Sequence, residues 1–202
     1  MRTLHFGIEM EMTGITRAQA ANLMGAFFGT GRGTHKGGTY DTYTASDDKG
    51  RTWKAMSDSS IWAQRKVGGQ IEGATNEYRT EVVSPILSYD DIPKLQELVR
   101  TLRKAGALVN SSCGIHIHVG AEQFTPKTLR NLVNLMASKE DMIYHALQID
   151  PIREGRYCQK TDGTFLAKLN KKQPQTMAEF ADIWDIQAPF GRNEHYNCSR
   201  YH

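Results

Sequence analysis

An unbroken alternation near the start of the chain limits its fold more than any other feature. In Phe6-Gly7-Ile8-Glu9-Met10-Glu11-Met12, the apolar residues Phe6, Ile8, Met10 and Met12 fall on one side and Gly7, Glu9 and Glu11 on the other. A period of two over seven residues is the pattern of a strand with one buried face. The pattern returns in Gly114-Ile115-His116-Ile117-His118-Val119-Gly120, where His116 and His118 share a side. Arg79-Thr80-Glu81-Val82-Val83-Ser84 reads as a further strand, ended by Pro85.

Helices separate these strands. Thr16 predicts an N-cap for a helix reaching Phe28, with Ala20, Leu23, Met24, Phe27 and Phe28 as its apolar stripe. The glycine-rich stretch from Gly29 to Gly38 lacks the GxxxxGK[ST] spacing of a phosphate-binding loop and is expected to be a flexible loop. Thr39–Thr44 and Arg51–Met56, joined through Asp47-Asp48-Lys49-Gly50, predict a hairpin. If its second strand stays extended, Lys54, Met56, Asp58 and Ser60 share a face. Residues 61 to 76 show no period and read as a loop. A helix starts at Asp90 or Asp91, with Pro93 in its first turn and Gly106 as its stop. Thr125 and Pro126 open the next helix, and another is expected over 138 to 148. Residues 150 to 175 are basic and weakly patterned, which predicts a mobile loop or lid. A short helix over Thr176–Ile183 follows, and residues 192 to 202 read as the lead-in to another strand. Hairpins mixed with helices point to an α+β fold with a mainly antiparallel sheet, and 202 residues suit a single domain.

Composition removes several classes of function. No apolar run approaches the ~20 residues that span a bilayer, and the N-terminus lacks a signal-peptide core, so a cytoplasmic location is the default expectation. A net charge of +3 without a basic, aromatic-interleaved stripe argues against a nucleic-acid partner. Cys113, Cys158 and Cys198 are odd in number and widely spaced, so no disulfide framework is expected. Cys113 and His116 lie three apart on a strand and face opposite ways, which disfavours a nucleophile–base pair.

The chemistry therefore rests on Glu9, Glu11, Glu81, His116 and His118. Two glutamates on an alternating strand are ordinarily its solvent face. Brought together on one sheet face, however, such groups repel, and their desolvation is costly unless a cation offsets it. Carboxylate oxygens are the preferred ligands of magnesium. The His-x-His pair also suits half of a zinc site, although no HExxH or cysteine set completes one.

The ordered set Phe6-Gly7-Ile8-Glu9-Met10-Glu11, Lys54…Asp58-Ser59-Ser60, Glu81-Val82-Val83-Ser84-Pro85 and Asn110…Cys113-Gly114-Ile115-His116-Ile117-His118-Val119-Gly120 resembles the amidoligase family. These are carboxylate–amine ligases related to glutamate–cysteine ligase and glutamine synthetase. The resemblance implies a curved antiparallel sheet, helices on one face, and Mg2+ with ATP on the other. It implies an acyl-phosphate route from a carboxylate on an amino acid, peptide or protein to an amide with an amine acceptor. It further implies Glu9, Glu11, Glu81 and His118 as metal ligands, and Lys54, Asp58, Ser60, His116 and His118 at nucleotide or substrate. Glu9, Glu11, Glu81, His116 and Arg200 would be the catalytic group. Family members continue past an Arg-Tyr motif into a strand carrying a late arginine. With Ser199-Arg200-Tyr201-His202 at its end, this sequence is expected to stop short of that strand. An incomplete sheet would leave an edge open to another copy. Two alternatives stand beside the ligase: a catalytically incomplete nucleotide- or metal-binding remnant, and a zinc hydrolase using His116 and His118.

Overall fold

The computed structural model describes residues 4–185, which fall into two compact units divided between Gly120 and Ala121. The expected strand at 192–202, and Arg200 with it, lies outside the described residues.

The first unit opens with β1 (Phe6–Met12) and α1 (Arg17–Phe28), then β2 (Thr34–Gly37), β3 (Thr42–Ser46) and β4 (Thr52–Met56). A hairpin of β5 (Gln64–Val67) and β6 (Gln70–Gly73) precedes β7 (Thr80–Val83), α2 (Ile92–Lys104) and β8 (Ile115–Val119). Six strands form one sheet in the order β2-β3-β4-β7-β1-β8, and β5-β6 form a separate pair. Every pairing is antiparallel, so the α+β, mainly antiparallel expectation holds.

The alternation sorts the two faces. Met10, Met12, Trp53, Ala55 and Val82 enter one core with Ala20, Ala21 and Met24 of α1 and Leu98 and Leu102 of α2. α1 begins where expected because Thr16 Oγ1 accepts from the Gln19 N–H and Gln19 Oε1 accepts from the Thr16 N–H. Pro93 stands in the first turn of α2, and Gly106 beyond its end takes φ +106°.

Three expectations in this unit need correction. The glycine-rich stretch is no free loop: a Cβ on Gly33 would lie 2.5 Å from Ala21 Cβ, and one on Gly25 would lie 2.2 Å from the Gly31 carbonyl oxygen. Glycines let this segment press against α1 before it enters β2. Residues 61–76 hold the β5–β6 hairpin, turned by Gly68 and Gly69 at φ +56° and +89°. β4 ends at Met56, so Asp58 and Ser60 stand in a turn rather than on its face.

The second unit contains α3 (Pro126–Leu147), α4 (Pro151–Arg156), α5 (Gly163–Lys172) and α6 (Met177–Asp185). α3 is capped by Thr125 as expected but runs unbroken to Leu147, replacing the two helices read there. The basic 150–175 stretch, read as a loop, holds α4 and α5. Asp150 and Asp162 cap them, and Phe165 and Leu169 bury against Phe180 and Ile183 of α6. No described helix is long and apolar enough to cross a membrane.

Candidate active site

β1 lies between β7 and β8, with Glu11 opposite Glu81, Glu9 opposite His116 and Gly7 opposite His118. Residues directly opposite in an antiparallel pair project from the same face. The face turned away from the helical core therefore carries Glu9, Glu11, Glu81, His116 and His118. Glu9, Glu11 and Glu81 are all buried.

Specific contacts hold these groups. His116 Nδ1 is 2.9 Å from Glu9 Oε2, and His118 Nε2 is 3.3 Å from Glu9 Oε1, so both imidazoles address one carboxylate. The Gly114 N–H donates to Glu11 Oε2 at 2.7 Å. Asp58 is held by the Ser60 N–H, which donates to its Oδ1 at 2.6 Å. The turn after β4 thus brings Asp58 to the cluster, although it leaves the strand. Two groups of donor atoms result, each within 4.8 Å: Glu9, Glu81 and His116, and Glu11, Asp58 and Glu81. Glu81 belongs to both.

The electrostatics follow from that crowding. Burial first, then the charges of Glu9, Asp58 and Glu11, push the Glu81 carboxyl up to about 8. Burial alone would also raise Glu9, but the His116 hydrogen bond and the charges of His116 and His118 hold it below its ordinary value. His116 moves up, chiefly through its bond to Glu9. Four carboxylates facing two imidazoles form a site short of positive charge, and a divalent cation is the natural complement. The Glu11, Asp58 and Glu81 set offers only oxygens and fits magnesium. The other set adds one imidazole.

The remaining sequence candidates are spread more widely. Lys54 stands opposite Val83, itself opposite Glu9, which puts it two strands and about 10 Å across the same face. Ser60 acts through its backbone on Asp58. His118 is in neither donor group but reaches Glu9. Sequence reasoning missed a clamp beside the cluster. Asn110 Nδ2 donates to the Trp62 carbonyl at 2.9 Å and to Gln64 Oε1 at 2.8 Å, while Ser112 Oγ accepts from the Trp62 N–H at 2.8 Å. Asn110 stood in the ordered motif set, but its neighbours Ser111 and Ser112 are turn-forming residues of a common kind and gave no sign of a clamp on Trp62.

The fold and site define the chain as an α+β protein that gathers carboxylates on one face of an antiparallel sheet. Comparison narrows the class: residues 2–202 match the family model described as "Putative amidoligase enzyme". The chain belongs to this amidoligase family. No curated protein and no solved structure matches it.

Proposed function

We propose that the protein is an ATP- and Mg2+-dependent carboxylate–amine ligase. The observation that carries this reading is the sharing of Glu81 between two donor groups on one sheet face, in a chain of the amidoligase family. Glu11, Asp58 and Glu81 would hold one magnesium ion, and Glu9, Glu81 and His116 a second. Bound there, the metal neutralises charge on the transferring phosphate.

The protein's own groups would orient and shield the reactants. The substrate carboxylate attacks the γ-phosphorus of ATP, giving an acyl phosphate and ADP. The amine nitrogen then attacks the acyl carbon, phosphate leaves, and the amine gives up a proton. Phosphoryl transfer is catalysed mainly by positioning and charge neutralisation. Lys54 and His118 stand on the correct face to meet phosphate oxygens, and Glu9 holds both imidazoles in place. Arg200, outside the described residues, keeps its expected place in the catalytic group.

The zinc-hydrolase reading needs His116 and His118 as joint ligands. Both instead turn to the two oxygens of Glu9, and neither donor group among the described residues contains both. That arrangement favours the ligase. The test is release of ADP and phosphate with magnesium and a panel of carboxylates and amines. Product should form in the wild type and fall to background in Glu9→Gln/Glu11→Gln. Stoichiometric zinc in protein purified without added metal, with no nucleotide turnover, would overturn the proposal.

A further inference from the structure

Between Asp58 and Glu81, two members of the same donor group, the chain makes one excursion: the β5–β6 hairpin. Its root is fixed firmly. The Gln64 N–H donates to Thr13 Oγ1 at 2.7 Å, Thr13 Oγ1 donates to the Gln64 carbonyl at 2.8 Å, and the Gly14 N–H reaches that same carbonyl at 2.9 Å. Thr13 is fully buried and lies two residues beyond Glu11. The Asn110–Ser112 clamp fixes Trp62 on both sides of its backbone, leaving its 64% exposed side chain at the hairpin root. Beyond the root the hairpin is exposed, and it pairs with no third strand among the described residues. A lone two-stranded hairpin is marginal in water, so anchoring one this rigidly beside a buried site calls for a purpose.

The register shows which edge is available. Gly68 and Gly69 make a two-residue turn closed by Val67 and Gln70, so Val67–Gln70 and Arg65–Glu72 are the hydrogen-bonded pairs. At Lys66–Ile71 and Gln64–Gly73 the backbone groups point outward instead. The Gln64 bonds to Thr13 and Gly14 confirm this alternation and use up that position on β5. Lys66 is then the one outward position on β5, whereas β6 offers two in sequence, Ile71 and Gly73. Ile71 is 57% exposed, and a side chain could be added at Gly73 without meeting any atom within 4 Å.

We propose that the outer edge of β6 receives an extended peptide as a third strand, and that the carboxylate this protein activates is carried on such a peptide rather than on a free amino acid. The docking rests on the hairpin alone. Its use in ligation rests on the ligase reading above. Main-chain hydrogen bonds at Ile71 and Gly73 supply the affinity, in the manner of strand addition to an open edge. Because the hairpin leaves the carboxylate cluster at Asp58 and returns to it at Glu81, a strand laid along β6 runs to or from the site.

The test uses the full chain, with Mg-ATP, ammonium and amino-acid amines, and a pooled octapeptide library with free C-terminal carboxylates. Amide hydrogen exchange is read residue by residue. The library should slow exchange at Ile71 and Gly73 and leave Glu72, already paired, unchanged. Ile71→Pro and Gly73→Pro each remove an outward N–H without touching the hairpin's own ladder, and should raise the peptide KM roughly tenfold with kcat nearly constant. Lys66→Pro places the same ring on the opposite edge and should leave the peptide KM within about twofold. ADP release without protection at Ile71 and Gly73, or equal losses from all three prolines, overturns the docking. Protection without ADP release keeps the docking and fails the ligase reading instead.

Discussion

Two acidic clusters in the first unit differ in one respect, and that difference separates scaffold from site. Asp47, in the turn between β3 and β4, and Asp91, immediately before α2, are buried beside Arg51, which donates to Asp47 Oδ2 at 2.8 Å and to both oxygens of Asp91 at 2.9 and 3.0 Å. Lys49 reaches Asp91 at 2.7 Å, and the Trp53 indole N–H reaches Asp47 at 3.3 Å. Arg51 and then Lys49 hold the Asp91 carboxyl far below its usual range, against the effect of burial. On the far side of the sheet, Glu9, Glu11, Glu81 and Asp58 face imidazoles, and Glu81 moves in the opposite direction. The first cluster balances its charge internally and ties α2 to the sheet. The second leaves charge to be balanced from outside, as the proposed cation site requires.

The sharpest way to break this contrast is to unbalance the scaffold. Arg51→Met leaves Asp47 and Asp91 buried without their guanidinium, and should lower stability by about 3 kcal/mol in urea unfolding. A cost below about 1 kcal/mol would show that Lys49 and the backbone N–H groups suffice, and the scaffold reading would fail. The mirror experiment has the opposite sign. Glu81→Gln removes a carboxylate that its surroundings already disfavour. Metal-free protein at pH 8 should gain about 1 kcal/mol, while magnesium or manganese affinity drops roughly tenfold or more by calorimetry. A destabilised variant with unchanged metal affinity would make Glu81 ordinary.

A pH series comes next in size. The Glu81 carboxyl is raised from 4.5 to about 8 on folding. Between those values the native state holds a proton that the unfolded chain has released. Its stabilising contribution is therefore full below about 4.5 and is lost as pH rises through 8. Metal-free Tm should fall by about 3 °C or more from pH 5 to pH 8, and saturating magnesium should flatten the slope. His116, also raised, adds a loss in the same direction above its ordinary value. Glu9, lowered, contributes only on the acid side, where stability falls as pH drops through its depressed value. A slope unaffected by either magnesium or Glu81→Gln would place the titration elsewhere.

The sequence revealed the scaffold better than the site. β1 alternates because its apolar face meets the core, whereas Ile115, Ile117 and Val119 of β8 are exposed and only its histidine face meets the site; Thr16 and Thr125 announce their helices through side-chain caps. β5 and β6 were invisible because neither face is buried, so no apolar period was selected. Gly68-Gly69 and the Thr13 anchor make the hairpin, and a long-range anchor leaves no local pattern. α5 places only Phe165 and Leu169 in a core, too few to stand out among its lysines. Glu9, Glu11 and Glu81 were found because strand register follows from alternation. Asp58 reached the cluster through a turn that extended-strand geometry could not foresee.

The smallest expected effect tests whether burial, rather than mere pairing, separates scaffold from surface. Lys94 makes an ion pair with Asp48, next to Asp47 on the same turn, and its ammonium lies 5.7 Å from the centre of the Phe28 ring. This pair joins α2 to the β3–β4 turn just as Arg51 does, but its side chains are 40% and 44% exposed, against 26% for Arg51, 0% for Asp47 and 6% for Asp91. Water screens an exposed pair and competes for its hydrogen bonds, so its removal leaves no buried charge behind. Lys94→Ala should therefore leave the urea midpoint unshifted within error, even though it deletes a bond between the same two elements. A loss comparable to that of Arg51→Met would mean that the link between α2 and the turn matters in itself. Burial would then no longer explain why one acidic cluster is structural and the other is left to bind.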